Sequence, residues 1–235
     1  MRVGWRAKTA SFHSAFRAIY RWAAERLYHE AAWAYDLVAW FVSWGQWDDW
    51  RRQVLDHAVG ERILEIGFGT GHLLTEATSQ GFEVWGIDPS WEMQRVSGRR
   101  MGDARRYVRR AMARAQALPF VDQTFDTVIA TFPTPYIVEP ATFREVVRVL
   151  RHSGPGDGGR FVVTGLGFRT EHSVIRWLLR WVFGGAKTID GTEVYRRMAE
   201  SQGFAVTVVD DHRQTTRVPV FVLQPRHGCS RLKDP

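Results

Sequence analysis

The residues whose types and spacing could do chemistry are a nine-residue run, Ile63-Leu64-Glu65-Ile66-Gly67-Phe68-Gly69-Thr70-Gly71, and Asp88, which closes the next apolar run. Ile63 to Ile66 reads as a buried parallel strand. The three glycines predict a tight turn in which backbone approaches a ligand closely. His72 to Ser79 predicts a helix start whose amides face that ligand. Asp88 ends a second short strand, 82–87, and stands 21 residues after Gly67. At that spacing an acidic side chain can accept hydrogen bonds from both hydroxyls of a ribose. Strand, turn, helix start and acid together predict a nucleotide-type binding device.

The glycine spacing narrows the ligand. A dinucleotide fingerprint needs G-x-G-x-x-G to seat a pyrophosphate on the helix N-terminus. Here the pattern is G-x-G-x-G and the next residue is His72. No Gly-Lys-Ser/Thr follows, which excludes a P-loop. Glu65, two residues ahead of Gly67, places a negative charge that repels a diphosphate and suits a ligand carrying an ammonium and a sulfonium. The turn therefore favours S-adenosylmethionine.

Three motifs in order carry a family resemblance: Glu65 to Gly71, then Asp88-Pro89-Ser90-Trp91-Glu92-Met93, then Ala117 to Asp126. Together they resemble the class I S-adenosylmethionine-dependent methyltransferases, over roughly residues 33–165. Within that superfamily the chain is most similar to the branch holding the ubiquinone/menaquinone C-methyltransferases and the bacterial phospholipid N-methyltransferases. Tyr35-Asp36, Ser43-x-Gly45 and Trp50-Arg51 repeat the spacing of a segment that precedes the first strand in those enzymes. The resemblance implies an α/β fold with a Rossmann-like seven-stranded sheet, mostly parallel with an antiparallel last strand. Helices would cover both faces, and an N-terminal helical cap would precede them. It implies S-adenosyl-L-methionine as cofactor and no metal. The cofactor residues it implies are Tyr35, Glu65, Gly67, Phe68, Gly69, Thr70, Gly71, Asp88, Pro89, Met93, Ala115, Gln116, Thr131 and Phe132. The implied function is in-line methyl transfer to a hydrophobic or lipid-like acceptor, such as a phospholipid amine or a quinone precursor. A soluble small metabolite as acceptor, or a non-catalytic binding protein on the same fold, are the alternatives.

Two departures from the family pattern matter. Relatives often carry an acid two residues before the position of Gln116; here that residue is Arg114, which cannot accept a hydrogen bond. The adenine edge is then left to the backbone of Ala115 or Gln116, or to the Gln116 amide. Phe132-Pro133-Thr134-Pro135-Tyr136 follows the fourth strand, where open α/β sheets place ligands. It lacks the amide and adjacent prolines with which nucleic-acid amino methyltransferases clamp a base, which counts against base methylation. If the acceptor must lose a proton, Tyr35, Asp36 and Tyr136 are the candidate catalytic groups, with His72 behind them. Each also reads as a packing or capping residue, and methyl transfer needs little obligatory side-chain chemistry.

These residues must be positioned by three regions: Trp-rich amphipathic helices in 1–50, a methyltransferase domain in 51–225 with an amphipathic insertion at 168–186, and a tail at 226–235. Residues 1–10 lack an apolar run and a small-residue cleavage site, so no secretory leader is expected there. From Ser11, Phe12, Phe16, Ile19, Tyr20, Ala23 and Leu27 recur at helical spacing. The apolar stretch 31–44 contains Asp36 and falls short of the roughly 20 residues needed to cross a bilayer. Seven of the eleven tryptophans lie in the first fifty residues. They read either as a membrane-facing surface or as packing across the mouth of the site.

A helix is expected over 47–59, a third strand over 107–115, a fourth over 125–131, and a closing antiparallel pair at 204–209 and 218–223. Helices are expected over 90–100, 141–150 and 192–202, with another strand over 160–164. The net charge is +7, and eight arginines fall between Arg95 and Arg114 against one acid, Asp103. Such a surface favours anionic partners, and for the arginine run itself a solvated Arg-rich face is favoured over a nucleic-acid site. The single cysteine, Cys229, excludes an intrachain disulfide and suits a reducing compartment. A cytoplasmic location, with contact at the inner face of a membrane, is the corresponding expectation.

Overall fold

The computed structural model describes residues 52–102, 108–152, 158–166, 169–170, 191–210 and 216–226. Nine strands and four α-helices lie in these segments: β1 (Arg62–Ile66), α1 (His72–Ser79), β2 (Glu83–Ile87), α2 (Trp91–Arg100), β3 (Val108–Ala111), β4 (Thr127–Thr131), α3 (Pro140–Val149), β5 (Arg160–Thr164), β6 (Arg169–Thr170), α4 (Gly191–Ser201), β7 (Phe204–Val209), β8 (Thr216–Arg217) and β9 (Val220–Pro225). Short 3-10 turns span Leu55–His57 and Pro135–Val138.

Seven strands form one sheet in the order β3-β2-β1-β4-β5-β9-β7. β1 to β5 pair in parallel, and β9 is antiparallel to both β5 and β7. The expected fold class is therefore observed. β6 and β8 pair separately as a two-stranded antiparallel ribbon.

Central strands alternate their burial between two cores. Leu64, Val128 and Val163 join Phe143 and Val146 of α3 and Tyr195 and Ala199 of α4 in one cluster. Ile63, Ile129 and Val162 join Leu73, Leu74 and Ala77 of α1 in the other. Because successive residues of a strand point to opposite faces, a run buried at every position, such as 63–66, reports a sheet covered on both sides.

Three expected elements come out shorter. The segment ahead of β1 ends in the 3-10 turn Leu55–His57, not a helix through Val59, since Gly60 (φ +65°) turns the chain against Asp126. The third strand stops at Ala111, and a bridge between Arg114 and Ala117 closes a tight turn just beyond it. The fourth begins at Thr127, with Phe125 making only a single bridge to Leu150. The N-terminal region 1–50, the amphipathic stretch 171–190 and the end of the chain from 227 lie outside the described residues.

Side-chain staples brace the loops at the sheet's ends. At the amino ends of β1 and β4, Asp126 accepts from the N–H groups of Glu61 and Arg62 and pairs with Arg151 at 2.8 Å. On α3, the Arg148 guanidinium donates to the carbonyls of Leu118 (3.0 Å) and Phe120 (2.6 Å) and to Glu145 and Asp122. Glu145 in turn accepts the Leu118 N–H at 2.6 Å. Helix α3 thus grips the loop that leaves the turn at 114–117.

Arg148→Met should cost about 2 to 3 kcal/mol in urea unfolding, because it strands two loop carbonyls and a carboxylate. The hydrogen bond from Arg148 holds the Glu145 carboxyl below its usual 4.5. A depressed acid contributes stability that is complete above its unfolded pKa and disappears as pH falls through the folded value. The stability gap between wild type and Arg148→Met should therefore hold above pH 4.5 and narrow below it.

Candidate functional site

The strand order reverses direction between β1 and β4, and at such a switch point the carboxyl ends of the strands open a crevice. The glycine turn fills that crevice. Its first N–H groups are held by β2: those of Gly67 and Phe68 donate to the Ile87 carbonyl at 2.8 and 3.3 Å. The next is held by an acid, since Asp88 Oδ2 accepts the Gly69 N–H at 2.9 Å. Asp88 Oδ1 accepts the Ser90 N–H at 2.9 Å, one residue before α2. One carboxylate therefore links the glycine turn to the start of the next helix. Burial pushes the Asp88 carboxyl above its usual 3.8, and the two backbone N–H bonds oppose the shift.

The three glycines of the turn do three different things. A Cβ on Gly67 (φ +73°) would stand 2.8 Å from the Tyr136 hydroxyl. A Cβ on Gly71 (φ +80°) would meet Ser97 Cβ at 2.8 Å and Met101 Cε at 2.9 Å, so Gly71 lets α2 close on the turn. Gly69 (φ +54°) has nothing within 4 Å of that position. All three need glycine for their backbone angle, yet only at Gly69 does the protein leave open space. The Phe68 side chain points the other way, 4% exposed, and packs on Gly86. Thr70 is buried.

Glu65 is buried in the middle of β1, 2% exposed, and accepts from the Thr131 hydroxyl at 3.4 Å. A carboxylate in that position is costly unless a cation or a set of donors compensates it. Thr131 ends β4, and Phe132 beyond it has a positive φ of +48°, rare for a non-glycine residue. Its N–H donates to the Thr164 carbonyl, and its ring lies where a Cβ on Gly165 would be. This bend carries the chain into the 3-10 turn that places Tyr136 over the glycine turn, its hydroxyl donating to the Ile66 carbonyl at 3.1 Å.

On the far side of Asp88, Pro89 is exposed, Ser90 caps α2 through the Met93 N–H at 3.3 Å, and Met93 is buried. Ala115 is buried in its turn, while the Gln116 amide donates to Glu139 at 2.8 Å. His72 stands at the start of α1 with Arg100 Nη1 3.4 Å from its Nδ1. The structure thus gathers Glu65 to Gly71, Asp88 to Met93, Thr131, Phe132 and Tyr136 around the carboxyl ends of β1, β2 and β4. Tyr35 and Asp36 lie outside the described residues. Among the described residues, no group of His, Cys, Asp and Glu could hold a metal.

Sequence reading missed Gln94. Its amide donates to the carbonyls of Asp88 (3.1 Å) and Ala111 (2.8 Å), tying α2 to the ends of β2 and β3. It gave no signal because its partners are backbone atoms of other elements.

A family model described as a methyltransferase domain matches residues 63–154. That stretch of the chain resembles a methyltransferase domain. It is 32% identical over 140 residues to the demethylmenaquinone methyltransferase of Renibacterium salmoninarum, covering 58% of this chain and 56% of that enzyme. It is 28% identical over 204 residues to the ubiquinone/menaquinone biosynthesis C-methyltransferase of Rubrivivax gelatinosus, covering 78% and 76%. The first match spans little more than half of that relative's length. The fold resembles the crystal structure of geranyl diphosphate C-methyltransferase from Streptomyces coelicolor A3(2), with a TM-score of 0.53 and 14% identity over 74% of this chain and 76% of that one.

Gly69→Ala and Gly81→Ala separate the roles of space and backbone strain. Both glycines have positive φ and open surroundings, but Gly81 lies in the turn after α1, away from Asp88. Each substitution should cost about 1 to 2 kcal/mol of stability by denaturant unfolding. Only Gly69→Ala should also abolish ligand binding in calorimetry.

Proposed function

We propose that the protein is an S-adenosylmethionine-dependent methyltransferase acting on a hydrophobic or lipid-like acceptor, such as a phospholipid amine or a quinone precursor. The observation that carries the reading is the open side of Gly69 beside Asp88, at the sheet's switch point. An ionised carboxylate has about four acceptor sites. Gly69 and Ser90 use two of them, leaving two for the hydroxyls of a ribose.

When bound, S-adenosylmethionine supplies a methyl group on a sulfonium sulfur, open to in-line displacement by the acceptor. Asp88 would hold the ribose and Glu65 the ammonium of the methionine portion. The backbone at Gly67, Gly69 and Gly71 would line the ligand's path, with Thr70 beside it. Pro89 and Met93 would cover the adenine, and Ala115 and Gln116 would meet its edge. Thr131 and Phe132 would border the methyl-donor end. The chain's main contributions to rate are then orientation and exclusion of water. The Tyr136 hydroxyl donates a hydrogen bond to the Ile66 carbonyl, which would hold its ring as a wall of the site and leave its oxygen as one candidate for receiving an acceptor's proton. Tyr35 and Asp36 are the remaining candidates for receiving an acceptor's proton.

The quinone-pathway enzymes among its relatives support a hydrophobic acceptor. Among the described residues no helix is long and apolar enough to cross a membrane. A cytoplasmic enzyme meeting its acceptor at the inner face of an anionic membrane, through the Trp-rich segment 1–50, suits the +7 net charge.

Calorimetric titration of S-adenosylmethionine and S-adenosylhomocysteine into wild type and Asp88→Ala tests the reading. Micromolar binding should weaken about hundredfold in the variant, the loss of two charge-assisted hydrogen bonds; no binding to wild type would refute it. If binding is present, transfer of labelled methyl groups to phospholipids and quinols, but not to soluble metabolites, is the expected second result.

Binding should also depend on pH through Asp88. Its carboxylate accepts the ribose hydroxyls only when ionised, and burial raises its pKa above 3.8. Affinity should be flat near neutrality and fall on acidification, at a higher pH than an ordinary aspartate would give. Asp88→Asn should bind more weakly and lose that acid limb.

A further inference from the structure

We propose that the groove between α2 and β3 is a face by which this protein docks on an anionic lipid bilayer. The groove, about 600 Å³, is lined by Trp91, Gln94, Arg95 and Arg99 from α2 and by Arg110 and Met112 from β3 and its end. Trp91, Arg95 and Arg99 share one side of the helix at i, i+4 and i+8. Arg110 and Met112 share one side of the extended chain at i and i+2.

Two observations point to the occupant. Trp91 is 65% exposed and Met112 63%, although tryptophan and methionine are residues a fold normally buries. Arg95 is exposed beside Trp91, and Arg99 is exposed one turn further along α2. Among the described residues neither arginine makes an ion pair or a hydrogen bond. Arg110 is fixed in the floor: its Nη1 donates to the Gln94 carbonyl at 2.7 Å and to Ser97 Oγ at 2.6 Å, and its guanidinium lies against Gly98, where a Cβ would stand 3.0 Å from Nη2. Two wet apolar tips flanked by uncompensated arginines match a boundary where hydrocarbon meets phosphate. A soluble polyanion would satisfy the arginines but leave Met112 in water.

The placement gives the docking a use. Trp91 follows Asp88 by three residues, and Met112 directly follows Ala111, whose carbonyl accepts the Asp88 N–H at 3.3 Å. Both tips therefore stand at the carboxyl ends of β2 and β3, the end of the sheet that carries the glycine turn. Docking through them sets that rim against the bilayer. The inference is independent of the Trp-rich segment 1–50 and of methyl transfer itself. A chain that docks this way but transfers no methyl group would refute the proposed function and leave the docking face standing.

The test uses the full chain with Cys229→Ser and Met112→Cys, labelled at position 112 with a polarity-sensitive fluorophore. Phosphatidylglycerol vesicles should shift its emission to the blue, phosphatidylcholine vesicles should not, and salt should weaken the effect. Arg95→Gln with Arg99→Gln should lower vesicle affinity about 25-fold by sedimentation, since each arginine near an anionic surface contributes about fivefold. The circular dichroism spectrum should stay unchanged. The proposal is overturned if phosphatidylglycerol vesicles do not bind, or bind without an emission shift. It is equally overturned if the double variant binds like wild type, or if soluble glycerol phosphate or duplex DNA alone produces the shift.

Discussion

The site depends on one carboxylate. Asp88 bridges the Gly69 N–H and the Ser90 N–H, joining a turn after β1 to a helix start after β2. Two parallel strands deliver their chain ends side by side but leave the loops beyond them without regular partners. Backbone groups in such loops must find acceptors, and a buried, doubly bonded carboxylate supplies them. The cost is visible in the acid itself, whose burial favours its neutral form. The same atoms that fix the turn are those a ribose would use, so the site is organised before a ligand arrives.

Around that bridge the protein commits each neighbour to one task. Gly67 yields to Tyr136 and Gly71 to α2, and only Gly69 leaves room. Gln94 draws the ends of β2 and β3 onto α2, and Arg148 draws the loop at 118–122 onto α3. These contacts are polar, because the groups held are loop carbonyls that hydrophobic packing cannot satisfy. The apolar work is done below, where alternate residues of β1, β4 and β5 serve two separate cores.

Under the proposed docking, chemistry and delivery would meet at this rim. Glu65, Asp88 and Tyr136 gather at the carboxyl ends of the central strands, and Trp91 and Met112 stand outward at the ends of β2 and β3. An acceptor drawn from a lipid phase would reach the donor without passing the far side of the sheet.

The sequence by itself determined the alternation of strand and helix, the glycine turn, Asp88 and the parallel core. Each of these is local: an apolar run, a positive-φ requirement or a fixed spacing writes itself into neighbouring residues. Strand ends were less well marked. Apolar residues lie beyond the ladder on both sides, Met112 after Ala111 and Phe125 before Thr127, and only the partner strand decides where pairing starts and stops. What the tertiary structure alone decided is which glycine faces open space, that Phe68 turns into the core, and that Tyr136 donates to Ile66 across 70 positions of chain. Those outcomes depend on atoms brought together from distant segments, and no pattern of neighbouring residue types records them.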